Sequence, residues 1–482
     1  MTSRNELSLM GLLSNSDMMS CCLLHFSAFY TLLPLSHLYI LAYSYIDILE
    51  RPFVILWNAP TRPCLEKYGV AIDLPNYDII INQNHSFLGP EMVIFYNTQL
   101  GLYPFYDKDN KPVNGGLPQN GSLEEHLEKA HQDLGAIMTD DNFRGVAVVD
   151  WEQWRPLWDR NWERMLLYQQ RSLELVSQMH PYWSFRKIRR VAKRQFQAAA
   201  QRFMTATLKL GRKQRPQGIW GFYGFPECYN FEYKNSSQNY SGRCPEEEVQ
   251  RNSDISWLWN ISQALYPHIY LDKDLKGSEY VRPFVRHRLE EAIRVSKLRR
   301  GTDLPVLPYA RIVYTYGMDF LTKEDLIQTI GQSAVLGASG VILWGNSDYS
   351  SSKNSCLAVQ SYVDDTLGKY LKNITTAISM CSRAQCSGNG RCVRKHSDSD
   401  DHLHLDSQFF SIEQNPHGKG YMIHRKHPRK KMDATWLQFL CRCYSGWQGS
   451  DCSQKVTINN PLQSFHNVTV LTTNRKNNDH PT

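Results

Sequence analysis

Apolar runs of about five residues recur along the chain, and each breaks off at a polar or aromatic residue. Phe53–Trp57 (FVILW) ends at Asn58, Met92–Tyr96 (MVIFY) at its own tyrosine, Val146–Val149 (VAVV) at Asp150 and Glu152, and Gly340–Trp344 (GVILW) at its tryptophan. Runs this short, β-branched and continuously apolar read as strands buried on both faces. Three more strands are expected at Gly218–Phe225, Pro267–Leu271 and Leu304–Tyr314. Between the runs, helical periodicity marks Glu124–Leu134, Trp162–Met179, Phe185–Leu210, Trp257–Leu265, Val285–Leu298 and Lys323–Leu336. Strands alternating with helices specify an α/β fold, either a parallel barrel or a doubly wound sheet. Strand ends rich in Asn58, Tyr96, Asp150, Glu152, Tyr223, Tyr270 and Trp344 suit a single rim, which favours a TIM-like (β/α) barrel. The sequence has no Gly-x-Gly-x-x-Gly turn and no phosphate loop, so no nucleotide cofactor is expected.

The stretch GVAVVDWEQWRP at 145–156 carries the chemistry most openly. Residues two apart on a strand share a face, so Asp150 and Glu152 project together while Trp151 turns away. Paired acids at the end of a buried strand suit general acid/base work. An Asp-x-Glu triplet by itself is common, and a solvated strand end would produce it equally well.

Cysteines and sequons set the compartment. Cys21 and Cys22 lie in an apolar N-terminal stretch, which leaves ten cysteines in the remainder. Asn-x-Ser/Thr sequons stand at Asn84, Asn120, Asn235, Asn239, Asn260, Asn373 and Asn467. Together they point to a secreted glycoprotein, with a lysosomal or cell-surface location as the variants of that reading. Residues 1–46 read as a signal peptide or anchor-like leader around the apolar run 21–43, and no second membrane span is expected. The polar C-terminal residues 454–482 lack the apolar tail of a lipid-anchor signal. With 42% hydrophobic and 21% charged residues the chain is globular. Its net charge of +7 is modest, but Ser184–Arg215 holds a run of lysines and arginines with no acid. That run could steer a polyanion or form the solvated face of a helix whose apolar stripe is Ile188, Ala192, Phe196, Ala199 and Phe203. No nucleic-acid partner is expected, because no binding module for one is present and the cysteines indicate an oxidising compartment.

The pattern changes at Cys381. Cys381, Cys386 and Cys392, then Cys441, Cys443 and Cys452, have the spacing of an EGF-like module at 381–453, with a long basic insertion that includes HRKHPRKK at 424–431. This spacing favours pairing first with third, second with fourth and fifth with sixth. A zinc site is the competing reading of clustered cysteines. Residues 47–380 would then form the barrel domain.

The motifs FVILWNAPTRPC, GVAVVDWEQWRP, GIWGFYGFPEC, SWLWNISQALYPHIY and GASGVILWG, in this order and followed by the cysteine module, make the chain resemble the animal and venom hyaluronidases, a glycoside hydrolase family. The resemblance implies a distorted β/α barrel, disulfides Cys64–Cys356 and Cys228–Cys244, and hydrolysis of β-1,4 bonds in hyaluronan with retention and without a metal or other cofactor. Glu152 would be general acid and then base, Asp150 would orient the substrate's acetamido group, and that group's oxygen would attack the anomeric carbon. Tyr223 and Tyr270 match tyrosines at the cleavage point, and Trp344 matches the wall of the acetyl pocket. Asn58, Tyr96, Arg155 and Arg288 match groove residues, and the arginines could pair with substrate carboxylates, although Arg155 could equally hold the acidic pair in place. Two acids this close should raise one pKa, which would keep Glu152 available as an acid. The chain departs from the family at His268, where many members have serine, and at Thr315, where some have aspartate. A histidine near the groove could titrate near neutrality and alter substrate preference and pH dependence. A preference for chondroitin or chondroitin sulfate, or a binding protein without turnover, are the alternatives. The chain is expected to act as a monomer.

Overall fold

Among the described residues seven parallel strands run round a barrel in chain order: β1 (Val54–Asn58), β2 (Ile79–Ile81), β3 (Met92–Tyr96), β4 (Val146–Asp150), β5 (Ile219–Phe222), β6 (Tyr309–Ala310) and β7 (Gly340–Trp344). The computed structural model describes residues 50–456 apart from 236–239, 300, 417 and 427–435. The leader, the residues beyond 456, the side chain of Asn235, the sequons Asn239 and Asn467 and most of the basic run at 424–431 lie outside the described residues.

Two ladders form the wall, β2-β1-β7-β6 and β3-β4-β5. Single parallel bridges Tyr223↔Tyr266, Leu265↔Val306 and His268↔Tyr309 insert an eighth segment between β5 and β6. On the opposite side β2 and β3 share no ladder among the described residues, and the buried Asn82 makes the joint. Its Nδ2 donates to the Ser86 and Met92 carbonyls, and its Oδ1 accepts from the Glu91 and Met92 amides. Backbone groups that a ladder would have paired are thereby satisfied by one side chain. The closed ring in chain order is the TIM-like barrel, with this joint as its distortion.

Beside the β3-β4-β5 ladder lie α1 (Leu123–Ile137), α2 (Leu166–Met179) and α3 (Phe185–Gln214). Alternation along the strands decides what faces them. Val93, Phe95, Ala147, Val149, Trp220 and Phe222 pack outward with Ala192, Phe196 and Leu208 of α3. The stripe foreseen on α3 is buried, so its basic residues form the solvent face. Leu56, Ile94, Val148 and Ile342 have the other parity and fill the barrel. Gly221 belongs to this inner set. A Cβ there would lie 2.6 Å from the Ala264 carbonyl oxygen and 2.8 Å from the ring of the buried Tyr266, so only glycine lets that tyrosine fill the barrel.

Some elements differ from the sequence expectation. Only Tyr309–Ala310 of the run 304–314 joins a ladder, because Pro305 and Pro308 have no N–H to donate. The helix expected at 162–179 begins at Leu166 after a 3₁₀ turn at Glu163–Met165. The sequence reading passed over β2, a run of three isoleucines, and over the helices α5 (Lys353–Tyr362) and α6 (Gly368–Gln385), which follow α4 (Val281–Ser296).

The cysteine module grows directly out of α6. Cys381 lies within that helix, so the expected boundary at 381 falls inside a continuous element. Disulfides close Cys381–Cys392, Cys386–Cys441 and Cys443–Cys452. The barrel carries Cys64–Cys356 and Cys228–Cys244. Strands β8 (Gly390–Arg394) and β11 (Phe439–Cys443) pair antiparallel with Cys392 opposite Cys441, and β9 (Phe410–Gln414) pairs with β10 (Tyr421–Arg425). The module shares one apolar core with the barrel through Cys381, Cys392, Phe410 and Phe439.

Candidate active site

Two residues beyond the barrel-filling layer, the same parity delivers Asn58, Tyr96, Asp150, Tyr223 and Trp344 to the rim. Register confirms the level, with Asn58 opposite Trp344 and Tyr96 opposite Asp150. A cavity of about 290 Å³ opens there, lined by Ile94, Tyr96, Asn97, Asp150, Glu152, Gln153, Tyr223, Tyr270, Tyr309 and Trp344. Trp151 points away from it and stacks on Tyr103 at 4.5 Å. Asp150 and Glu152 therefore face one cavity from one strand end, and among the described residues no further carboxylate lines it.

The two acids are not equivalent. Asp150 is buried, and its Oδ1 has no protein partner. Burial pushes its pKa well up, the neighbouring Glu152 charge adds to this, and Arg155 opposes both. The two acids titrate together, so the proton the pair retains is shared between them, with burial favouring the neutral form at Asp150. The Glu152 side chain is half exposed, so solvent reaches it.

Arg155 stands behind the acids. Its Nε donates to Glu227 Oε1 at 2.8 Å, one terminal nitrogen donates to the Glu152 carbonyl oxygen at 3.2 Å, and the other lies 3.9 Å from Glu152 Oε1. Asn161 fixes the loop around it, accepting from the Arg155 amide at 2.9 Å and donating to the Arg155 carbonyl at 2.9 Å. Glu227 also receives Arg160, which in turn reaches Glu248. Arg155 is committed to these partners and is not among the residues lining the cavity. Of its two expected roles, the geometry matches holding the acidic pair. The sequence reading missed Glu227, although it sits in the quoted motif GIWGFYGFPEC.

Aromatic residues close the remaining walls. Trp344 Nε1 donates to the Tyr96 hydroxyl at 3.2 Å, and the Trp344 ring stacks on Tyr270 at 6.1 Å. Tyr223 and Tyr270 are linked through their hydroxyls, and Tyr309 meets the Tyr223 ring edge-on at 5.0 Å. Burial raises the pKa of Tyr223, Tyr270 and Tyr309, and pushes Tyr96 up to about 12, so all four stay neutral and able to donate. Tyr309, Asn97 and Gln153 were not singled out in the sequence; strand parity would have found Tyr309, whereas the other two lie in loops.

Arg288 and His268 are placed otherwise than expected. Arg288 is buried between the Phe231 and Phe284 rings, bonds Asn230 Oδ1 at 2.8 Å, and does not line the cavity. It donates to His268 Nε2 at 3.1 Å. Burial, followed by the positive charges of Arg288 and Arg155, drives the His268 pKa well below its usual value. His268 is therefore neutral and does not titrate near neutrality. Thr315 donates to Asp272 Oδ1 at 2.6 Å, away from the cavity. Asn58 is buried at the rim with its Oδ1 unpartnered. Among the described residues no group of three His, Cys, Asp or Glu side chains is arranged to hold a metal ion. The sequons Asn84, Asn120 and Asn260 are exposed, whereas Asn373 is half-buried and its Oδ1 accepts from the Leu405 amide at 2.7 Å.

Comparison with known proteins finds a family model described as hyaluronidase over residues 45–456. Hyaluronidase-1 of Sus scrofa is 44% identical over 410 residues, covering 85% of this chain and 94% of that protein. Hyaluronidase of Echis ocellatus is 42% identical over 417 residues, covering 84% and 91%. Among solved structures, bee venom hyaluronidase in complex with a hyaluronic acid tetramer superposes with a TM-score of 0.61 at 34% identity, covering 66% of this chain and 98% of that one.

Proposed function

The chain belongs to the hyaluronidase family of glycoside hydrolases, and on that premise we propose that it cleaves the β-1,4 bonds of hyaluronan with retention, by a substrate-assisted route. The observation that carries the mechanism is the placement of both acids on one strand end. A retaining hydrolase that supplies its own nucleophile needs two carboxyls flanking the bond, about 5–5.5 Å apart. Asp150 and Glu152 lie on one side of the cavity, and the walls around it are aromatic or amide-bearing. The nucleophile then comes from the substrate.

In this reading Glu152, open to solvent, protonates the leaving oxygen while the acetamido oxygen attacks the anomeric carbon. The carboxyl of Asp150 and the hydroxyl of Tyr223 hold the acetamido group, and Trp344 walls it. Glu152 then takes a proton from the water that opens the cyclic intermediate, which restores the starting state. The protein works outside the cell, a reading supported by five disulfides and by the exposed sequons Asn84, Asn120 and Asn260.

Substitution Glu152→Gln tests the reading. Reducing-end release from hyaluronan should be abolished with thermal unfolding unchanged, because the side chain is half exposed and glutamine keeps its size. A fully active variant would overturn the assignment. Initial rates on pure hyaluronan and pure chondroitin, run in parallel, decide which polymer is preferred.

A further inference from the structure

The hairpin that joins α2 to α3 carries a basic and aromatic tip on the catalytic side of the barrel, in which Trp183 stacks on His180 at 3.6 Å and takes Lys187 over its ring at 3.7 Å. Tyr182 is 98% exposed and Phe185 67% exposed. Behind them Arg186, Arg189, Arg190 and Arg194 point to solvent, and among the described residues they have no ion-pair or hydrogen-bond partner. Of these, Arg186, Arg190 and Arg194 are spaced four apart and form one ridge of the helix. No acid lies anywhere in 184–215 to neutralise them.

Packing places this tip relative to the rim. Gly211 of α3 sits against Trp220 at the start of β5. Phe196 packs against Trp154 and Trp158, and Lys193 pairs with Asp159 at 2.6 Å, all in the loop that leaves the catalytic strand. The helix therefore climbs from the strand starts to the rim between those points. The eight residues preceding Lys193 extend about 12 Å past that level.

We propose that this tip is an accessory binding site for a second stretch of the carboxylate-bearing polysaccharide whose cleaved segment occupies the cavity. A cavity of about 290 Å³ holds only a short segment, so a long chain must run on over the rim. Arginines spaced along one ridge suit regularly repeated carboxylates, and exposed rings suit sugar faces. The inference rests on the hydrolase reading above. An anionic membrane surface is the other occupant such a tip could take. The position of the tip at the catalytic rim favours the polymer.

The test compares KM for high-molecular-weight hyaluronan with KM for a short oligosaccharide in the triple variant Arg186→Ser/Arg190→Ser/Arg194→Ser. KM for the polymer should rise about tenfold and lose much of its salt dependence, with the oligosaccharide unaffected. The corresponding triple Arg→Lys variant should stay within about twofold of wild type, since surface charge is retained. Equal changes on both substrates, or no change on the polymer, overturn the proposal. Retention on phosphatidylserine vesicles that the triple Ser variant loses, with polymer KM unmoved, assigns the tip to membranes and also overturns it. Should the wild-type chain cleave neither substrate, the hydrolase reading itself fails. Retention on immobilised hyaluronan, lost in the triple Ser variant, then still supports the site, and unchanged retention overturns it.

Discussion

Arg155 ties Glu152 to Glu227: its Nε donates to Glu227 Oε1 at 2.8 Å, while a terminal nitrogen stops 3.9 Å from Glu152 Oε1. Glu227 is buried and takes a second arginine, Arg160, on its other oxygen. The guanidinium is therefore held back from the Glu152 carboxylate by a stronger buried partner.

Substitution Glu227→Gln should destabilise the fold by about 3–5 kcal/mol, because two buried guanidiniums lose their shared counter-charge. Arg155 would then be free to turn toward Glu152, and kcat on hyaluronan should fall. Thermal unfolding together with kcat of the folded protein checks both effects. A kcat equal to wild type would leave Glu227 a purely structural residue.

The raised pKa of Asp150 predicts a pH-dependent cost of its charge. A carboxyl whose pKa is higher in the folded than in the unfolded state contributes fully below the unfolded pKa, near 3.9, and stability is lost as pH rises toward the folded value. Substitution Asp150→Asn removes that loss. The variant should gain at least ~1 kcal/mol relative to wild type between pH 4 and neutrality, with much reduced turnover. A stability difference that does not vary with pH would contradict the buried, protonated carboxyl.

Because His268 is neutral and accepts from Arg288, substitution His268→Asn keeps an acceptor and changes no charge. Both limbs of the pH–rate profile should stay where they are. Loss of an apparent pKa near neutrality in the variant would show that the imidazole titrates after all.

Much of the site was legible because strand parity is local. Given VAVV followed by Asp150, Trp151 and Glu152, alternation alone assigns the two acids to one face and Trp151 to the other. The same counting brings Tyr96, Tyr223 and Trp344 to the rim from their own strands. Helix α3 was equally readable from its apolar stripe. What stayed hidden depends on bonds that no periodicity reports. The seam held by Asn82 could not be foreseen, since nothing in a lone asparagine announces four backbone bonds. The strand expected at 304–314 shrinks to Tyr309–Ala310 because Pro305 and Pro308 interrupt its apolar pattern with residues that cannot donate.

The sequence by itself determined the barrel, the strand ends that meet at its rim and the cysteine framework, since each follows from local period and spacing. Only the tertiary structure decided the charge states and the roles of the basic groups. Burial in the barrel raises the Asp150 pKa, whereas the Glu152 side chain stays half exposed. Arg288 is withdrawn from the cavity because two phenylalanine rings enclose it, and His268 is neutral because that arginine sits on its ring nitrogen. Desolvation and the distance to a neighbouring charge arise only when separate segments pack together, so no count along the chain can supply them.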